Sequence, residues 1–476
     1  MTQTRHEIPS YTPIWLFSIA LLAFVALKIP HLGLPFFWDE AGVYGKMVFE
    51  FATHDLSLHP KAIDQWLSRG HPLLYPNIIA IGCKLFGTSV TVAHAGNFIL
   101  ACALVISMFF HLSKAFHPWV GLGASLILMS MPLFFTQSVF VLPEVALALM
   151  LWWTTWAFIH KNYIIYILAG TCAILIKEPA LIWIGALFGW SLVFDRLALY
   201  KKLLWLAPYI PFGVFLLIQK QTFGWYFFPY HTGGFDFAPQ NIMTKFADFM
   251  EYLFWKHGRG GWAFIILFGG FLAWRKRKKS ETSLFVTPKP YLAALFVAMF
   301  YILFSSTTFF GERYVIATLP VICSFISYAI YYGIAGKRPL LSLVLICIVV
   351  ISSFPFMISK TFTYDNDMSY MRSIQSTQKT ISYMLDRGML NQDEFHATMP
   401  IIHALSDNRF GYLPQDSTAR FSKLVSAKTK YVVKVEPGTG IENPEQFPLD
   451  TIIHWKDHDI RTTIYAVLPK DTTVIQ

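Results

Sequence analysis

Two neighbouring carboxylates stand in the stretch Trp38-Asp39-Glu40-Ala41-Gly42-Val43-Tyr44, just past an apolar run over residues 14–30. Charge at a membrane boundary is costly and calls for a reason. A solvated helix start, where acids favour the helix dipole, is the plain one. The chemical one is a general base with its orienter, able to take a proton from an acceptor hydroxyl or amine. Glu144 follows Pro143 at the start of another apolar run and offers a third acid, for catalysis or for a metal ion. Lys177-Glu178-Pro179 places a cation between two apolar runs. It suits a phosphate oxygen held by a point charge, or else a structural ion pair that turns the chain. Arg313-Tyr314 opens a further run and has the chemistry to grip the same phosphate bidentately, or to anchor the chain at the interface. Arg69 and His71 are further candidate phosphate contacts, with a polar break in the chain as the alternative. Tyr44, Glu178 and Arg259 are weaker candidates for contact with an acceptor or a sugar.

The elements that carry these residues are apolar. Of 476 residues, 55% are hydrophobic and 14% charged, with a mean hydropathy of +0.48. Soluble domains carry about a quarter charged residues, so the composition is that of a polytopic α-helical membrane protein. The net charge of +10 does not mark a nucleic-acid partner, because Lys201-Lys202, Arg275–Lys279 and Lys337-Arg338 sit in connectors between apolar runs. That placement orients spans in a bilayer. The five cysteines lie in apolar segments without CxxC spacing, so neither a disulfide framework nor a metal knot is expected. The first apolar run lacks a small-residue cleavage site and reads as a retained span.

Taking the basic connectors as cytoplasmic gives about eleven spans. They cover residues 14–30, 92–112, 119–139, 145–159, 164–176, 180–194, 203–218, 262–274, 291–308, 315–332 and 340–357. Residues 33–91 form a long first external loop in which residues 71–86 lie along the interface, and residues 219–261 form an aromatic loop. Residues 1–358 thus make the membrane domain. Residues 359–476 make an external α+β domain, with strand-like runs at 430–435 and 461–468. In this topology Asp39, Glu40, Arg69, His71, Glu144, Lys177, Glu178, Arg259, Glu312 and Arg313 meet at one external face. Carboxylates with interleaved Lys and Arg suit a site that activates a nucleophile and neutralises a phosphate.

The motif order resembles a known family. Trp38-Asp39-Glu40-Ala41-x-x-Tyr44, Gly70-His71-Pro72-Leu73-Leu74-Tyr75, Leu85-Phe86-Gly87, Pro143-Glu144, Lys177-Glu178-Pro179 and Glu312-Arg313-Tyr314 are similar to motifs of GT-C fold membrane glycosyltransferases. The nearest branch holds the protein O-mannosyltransferases and the lipid A aminoarabinose transferase. Two departures fall at Pro72-Leu73, where the family usually has two prolines, and at Glu144, where Asp is common. The resemblance implies inverting transfer of a sugar from a polyprenyl-phosphate donor to a lipid, glycan or protein acceptor at the outer face of a cell membrane, bacterial and inner. Asp39 would be the base, and Lys177 and Arg313 the phosphate contacts. A divalent metal bridging Asp39, Glu144 and the phosphate is compatible with these residues, and so is catalysis without one. The rival class is a transporter or flippase for a lipid-linked sugar, which would place charges near the midplane with internal symmetry.

Overall fold

The computed structural model describes residues 11–279, 289–308, 311–390, 395–414, 419, 421–422, 429–436 and 449–468. Its larger part is a bundle of apolar helices. Thr12–Lys28 begins with Pro13 in its first turn, where the missing N–H costs nothing. Phe17 and Phe24, seven residues apart, face inward, Phe17 stacking on Phe109 with ring centroids 4.1 Å apart. Trp15, Ile19 and Leu22 point outward and are exposed, as suits a face that meets acyl chains rather than water. Val90–Ala115 is capped by Ser89, whose hydroxyl accepts from the Val92 N–H. Among the described residues, four helices are long and apolar enough to cross a membrane, or up to five if the bent pair Leu199–Leu206 and Tyr209–Phe223 is one span. Seven shorter apolar helices accompany them. This is a multi-pass membrane protein.

Burial ranks the helices. The hydrophobic stretch of Glu312–Ile334 is 78% buried and runs through the centre, whereas those of Thr12–His31 and Pro339–Phe356 are each 22% buried and lie at the periphery. The central segment carries Arg313 at its start.

Three sequence expectations change. Residues 119–139 do not form one span: Pro118–Ser130 stops before Pro132, and Pro132–Gln137 begins a new short helix. Proline disfavours the helical conformation in the residue before it, so Met131 turns extended (ψ 126°). Residues 203–218 are not one straight span either, since a 43° bend separates Leu199–Leu206 from Tyr209–Phe223 around Pro208. The segment 219–261 is not simply a loop. It holds the helix Pro239–Phe254, which buries Phe249, Tyr252 and Leu253 and leaves its other side polar.

Within residues 33–91, Leu74–Phe86 buries Tyr75, Asn77, Ile79, Ala80 and Cys83 and exposes Ile81, Leu85 and Phe86. The C-terminal part is a small α+β unit. Among the described residues its strands are β1 (Phe395–Ala397), β2 (Phe421–Ser422), β3 (Tyr431–Glu436), β4 (Leu449–Asp457) and β5 (Ile460–Val467), in the order β2-β1-β3-β5-β4. β1 runs parallel to β2 and β3, and β3, β5 and β4 are antiparallel with Val433 opposite Ile464. The amphipathic helix Tyr370–Asp386 packs on β5, with Ser376 Oγ 2.8 Å from Thr462 Oγ1. The five cysteines are free thiols.

Candidate active site

The site gathers at one end of the bundle, where helices begin or stop. Trp38 is left-handed (φ 51°), which swings the chain into a single π-helical turn, Glu40–Tyr44, with Asp39 at its N-cap. Such turns mark functional positions more often than chance. Glu144 lies in the first turn of Pro143–Ile159. Lys177 is the extended residue that closes Tyr163–Ile176 before Pro179. Arg313 starts the central segment, and Asp365 comes from the stretch that leads into the C-terminal unit.

Arg313 is the hub. Its Nη2 donates to Asp39 Oδ2 at 2.5 Å and its Nη1 to Asp365 Oδ2 at 2.9 Å, while its Nε lies 3.4 Å from Glu144 Oε1. Lys177 Nζ donates to the same Glu144 oxygen at 2.7 Å and sits 4.6 Å from the centre of the Tyr314 ring. Glu144 Oε2 is buried without a hydrogen-bond partner among the described residues. Burial would push the Asp39 carboxyl up, but the guanidinium of Arg313 outweighs it, with help from Arg69 and His403, and holds the group below its ordinary value. Burial would strip the proton from Lys177, but Glu144 beside it keeps the amine protonated.

Glu40 stands one residue away in other surroundings. It is fully buried, and its Oε2 accepts from the Phe37 N–H at 3.0 Å. Its Oε1 accepts from the Val141 N–H at 2.6 Å and meets His94 Nε2 at 3.0 Å. His94 Nδ1 faces the Leu32 carbonyl at 3.0 Å. The Val141 N–H is available because the chain leaves helix after Gln137. Glu40 therefore ties the acidic turn to the bundle and takes no part in the Arg313 network. These contacts suit the orienter that the sequence offers beside the base.

The remaining candidates divide. His71 Nδ1 contacts both oxygens of Glu178, at 3.0 and 2.8 Å, which holds the Glu178 carboxyl low although burial alone would raise it. Tyr44 is buried with its ring 6.0 Å from that of Tyr75, and burial pushes its hydroxyl up, so it remains a hydrogen-bond donor. Arg69 is left-handed (φ 50°) and exposed, acting on Asp39 through its charge. Arg259 stands apart from the Arg313 network. It is buried over the Tyr252 ring at 4.6 Å, with Glu312 as its acidic neighbour, and its Nη1 and Nη2 have no hydrogen-bond partner among the described residues.

Asp365, His94 and His403 were not singled out by the sequence. An ionisable residue inside an apolar run, as His94 is, carries a signal of its own. Asp365 lies in a polar stretch, Asp365-Asn366-Asp367, that reads as linker. His403, from the helix Ile401–Ala404, packs its ring where a Cβ on Gly42 would fall 2.5 Å away, so only glycine fits at that point of the turn. Asp39 and Glu144, the proposed metal ligands, both face the Arg313 guanidinium, and no group of three or more His, Cys, Asp or Glu among the described residues is arranged to hold a metal ion.

Comparison with known proteins bears on this arrangement. Residues 70–219 match the family model for dolichyl-phosphate-mannose-protein mannosyltransferase, a range that includes His71, Glu144, Lys177 and Glu178. No curated protein matches. Two solved structures of ArnT from Cupriavidus metallidurans share the architecture. The apo form has a TM-score of 0.59 at 12% identity over 94% of this chain and 98% of that one. The form bound to undecaprenyl phosphate has a TM-score of 0.55 at 13% identity over 96% and 98%. The resemblance first carried by the motifs thus holds for the whole architecture: the chain has the GT-C glycosyltransferase fold, of the type shared by the protein O-mannosyltransferases and ArnT.

Proposed function

We propose that the protein is an inverting glycosyltransferase that moves a sugar from a polyprenyl-phosphate donor to an acceptor on the extracytoplasmic face of a bacterial inner membrane. The observation that carries this reading is the Arg313 guanidinium, shared between the candidate base Asp39 and the Glu144–Lys177 pair. A base and a phosphate-binding cation are thereby wired together. With Arg313 on Asp39 the base is weak. As the donor phosphate draws Arg313 toward itself, Asp39 regains ordinary basicity where the acceptor arrives. Asp39 then takes the acceptor proton, the acceptor oxygen or nitrogen bonds to the anomeric carbon, and the carbon–oxygen bond to phosphate breaks with its electrons going to the phosphate. Asp39 acting as a base on the acceptor, with no carboxylate bonding to the sugar, gives inversion.

Three carboxylates (Asp39, Glu144, Asp365) already surround Arg313 and Lys177, so an incoming phosphate competes with them. The reading requires no metal. The outward placement of the site rests on the basic connectors at the other helix ends. The test is transfer by purified protein in detergent from radiolabelled polyprenyl-phosphate sugars to offered membrane lipids and peptides. Transfer by wild type that Asp39→Asn abolishes supports the reading. Donor binding without transfer, unchanged in Asp39→Asn, overturns it.

A further inference from the structure

An open cleft of about 480 Å³ lies between the first loop and the C-terminal unit. That volume falls within the roughly 300–1,000 Å³ of ordinary ligand pockets. Lys46 and Glu50, four apart on the helix Gly45–Thr53, form one wall, Lys61 and Asp64 a second, and Asp407 and Arg409 a third. The Arg409 plane is fixed by Asp407, with Nε to Oδ1 at 2.9 Å and Nη2 to Oδ2 at 2.6 Å, and it lies 5.2 Å over the Phe49 ring. Two stretches of chain run from the cleft walls to residues that act on Asp39. Arg69 follows the wall residue Leu67 by two positions, and His403 precedes the wall residue Ser406 by three. His403 rests on Gly42 with its Nδ1 3.4 Å from the Trp38 carbonyl, at the very turn that presents Asp39.

We propose that this cleft is the acceptor subsite and that it takes an oligosaccharide. The inference rests on the glycosyltransferase reading and deepens it. Cations and carboxylates alternate around the walls in equal number, Lys46, Lys61 and Arg409 against Glu50, Asp64 and Asp407. A polyanionic acceptor calls for an excess of cations, and an acyl chain for apolar walls. Sugar hydroxyls both donate and accept, so they match carboxylate acceptors interleaved with Lys and Arg donors. Asp39 feels the charges of Arg69 and His403, which stand two and three residues along the chain from the cleft walls, whereas it is bonded directly to Arg313 on the donor side. The two substrates thus have separate approaches to the base, as attack on the face away from the leaving phosphate demands.

The test uses the full-length protein in lipid nanodiscs. Saturation-transfer NMR is recorded with trisaccharides of glucose, mannose, galactose and N-acetylglucosamine, and with a mixed-charge heptapeptide as competitor. Ser406→Trp and Ala62→Trp, at two exposed wall positions, fill the cleft, and Lys61→Glu inverts one wall charge without adding bulk. Binding of at least one trisaccharide to wild type, weakened tenfold or more in both Trp variants with undecaprenyl-phosphate binding unchanged, is the expected result. No sugar binding, equal binding by the filled variants, or displacement of the sugar by the peptide overturns the subsite. Failure of wild type to bind undecaprenyl phosphate overturns the donor reading instead, whatever the sugars do.

Discussion

Asp39 and Glu40 are adjacent in sequence, and the regions they face could hardly differ more. Asp39 looks into a partly open network in which one guanidinium is shared by three acids. Glu40 is sealed in a dry pocket where each oxygen has fixed donors from Phe37, Val141 and His94. The first arrangement can be rearranged by a charged ligand, because no carboxylate there owns its cation. The second cannot, because every partner is backbone or buried ring. Adjacent acids in a motif can thus be one reagent and one bolt.

The sharpest way to break this contrast is to neutralise each acid in turn. Asp39→Asn is expected to lower transfer by about 10²–10⁴-fold, the usual worth of a general base, with the thermal melt in detergent unchanged. Because Arg313 holds Asp39 low in the free protein, the acid limb of kcat/KM in wild type belongs below the ordinary Asp range of about 4, and that of kcat returns toward it once the donor draws Arg313 away. Glu40→Ala is expected to act on stability, by about 3–5 kcal/mol, the cost of orphaning a buried partner; its melting temperature falls before any transfer is measured. Should Glu40→Ala melt like wild type yet lose only transfer, Glu40 would belong to the chemistry and the contrast would collapse.

A smaller effect separates the two regions by pH. Burial, with Lys46 and Arg69 nearby, pushes the His403 imidazole from 6.5 down to about 4. Between those values the unfolded chain binds the proton and the folded one does not, so stability rises with pH. The contribution is present in full above about pH 6.5 and is lost as pH falls toward 4. It is about 2 kcal/mol, discounted because the ring is partly exposed. Melts of wild type and His403→Asn across pH 4–7 are expected to converge at the acid end. The smallest effect expected is that of chelation: EDTA should change transfer by less than about twofold, since Arg313 already supplies the cation between the carboxylates. Loss of activity in EDTA that a divalent ion restores would place a metal at Asp39 and Glu144.

What the sequence disclosed follows from what is local. Apolar runs, and the residues at their ends, are written in short windows, so Glu144, Lys177 and Arg313 could be placed at helix termini and hence together. The break at Pro132 was also local, but an apolar run of span length hid it. Asp365 and His403 reach the site across more than 300 residues of chain from Asp39 and Trp38, through packing of the C-terminal unit on the first loop. No window contains that information. The partners of Glu40 are hidden for the same reason: Val141 and His94 come from two other elements.

The Glu144–Lys177 pair has a consequence for biogenesis. Both residues belong to one helical hairpin, Pro143–Ile159 and Tyr163–Ile176, and pair at its open end, away from the connecting turn at residues 160–162. A charge costs about 2.5–3.5 kcal/mol to place at the centre of an inserting helix, and less near its ends. This hairpin carries its acid and its base as a mutually cancelled unit and can enter the bilayer as soon as residue 177 leaves the ribosome. Arg313 is made much later and finds Asp39 and Glu144 waiting, and Asp365 follows last. The order of synthesis is thus also an order of neutralisation, in which Lys177, Arg313 and Asp365 each arrive after a counterion is already in place.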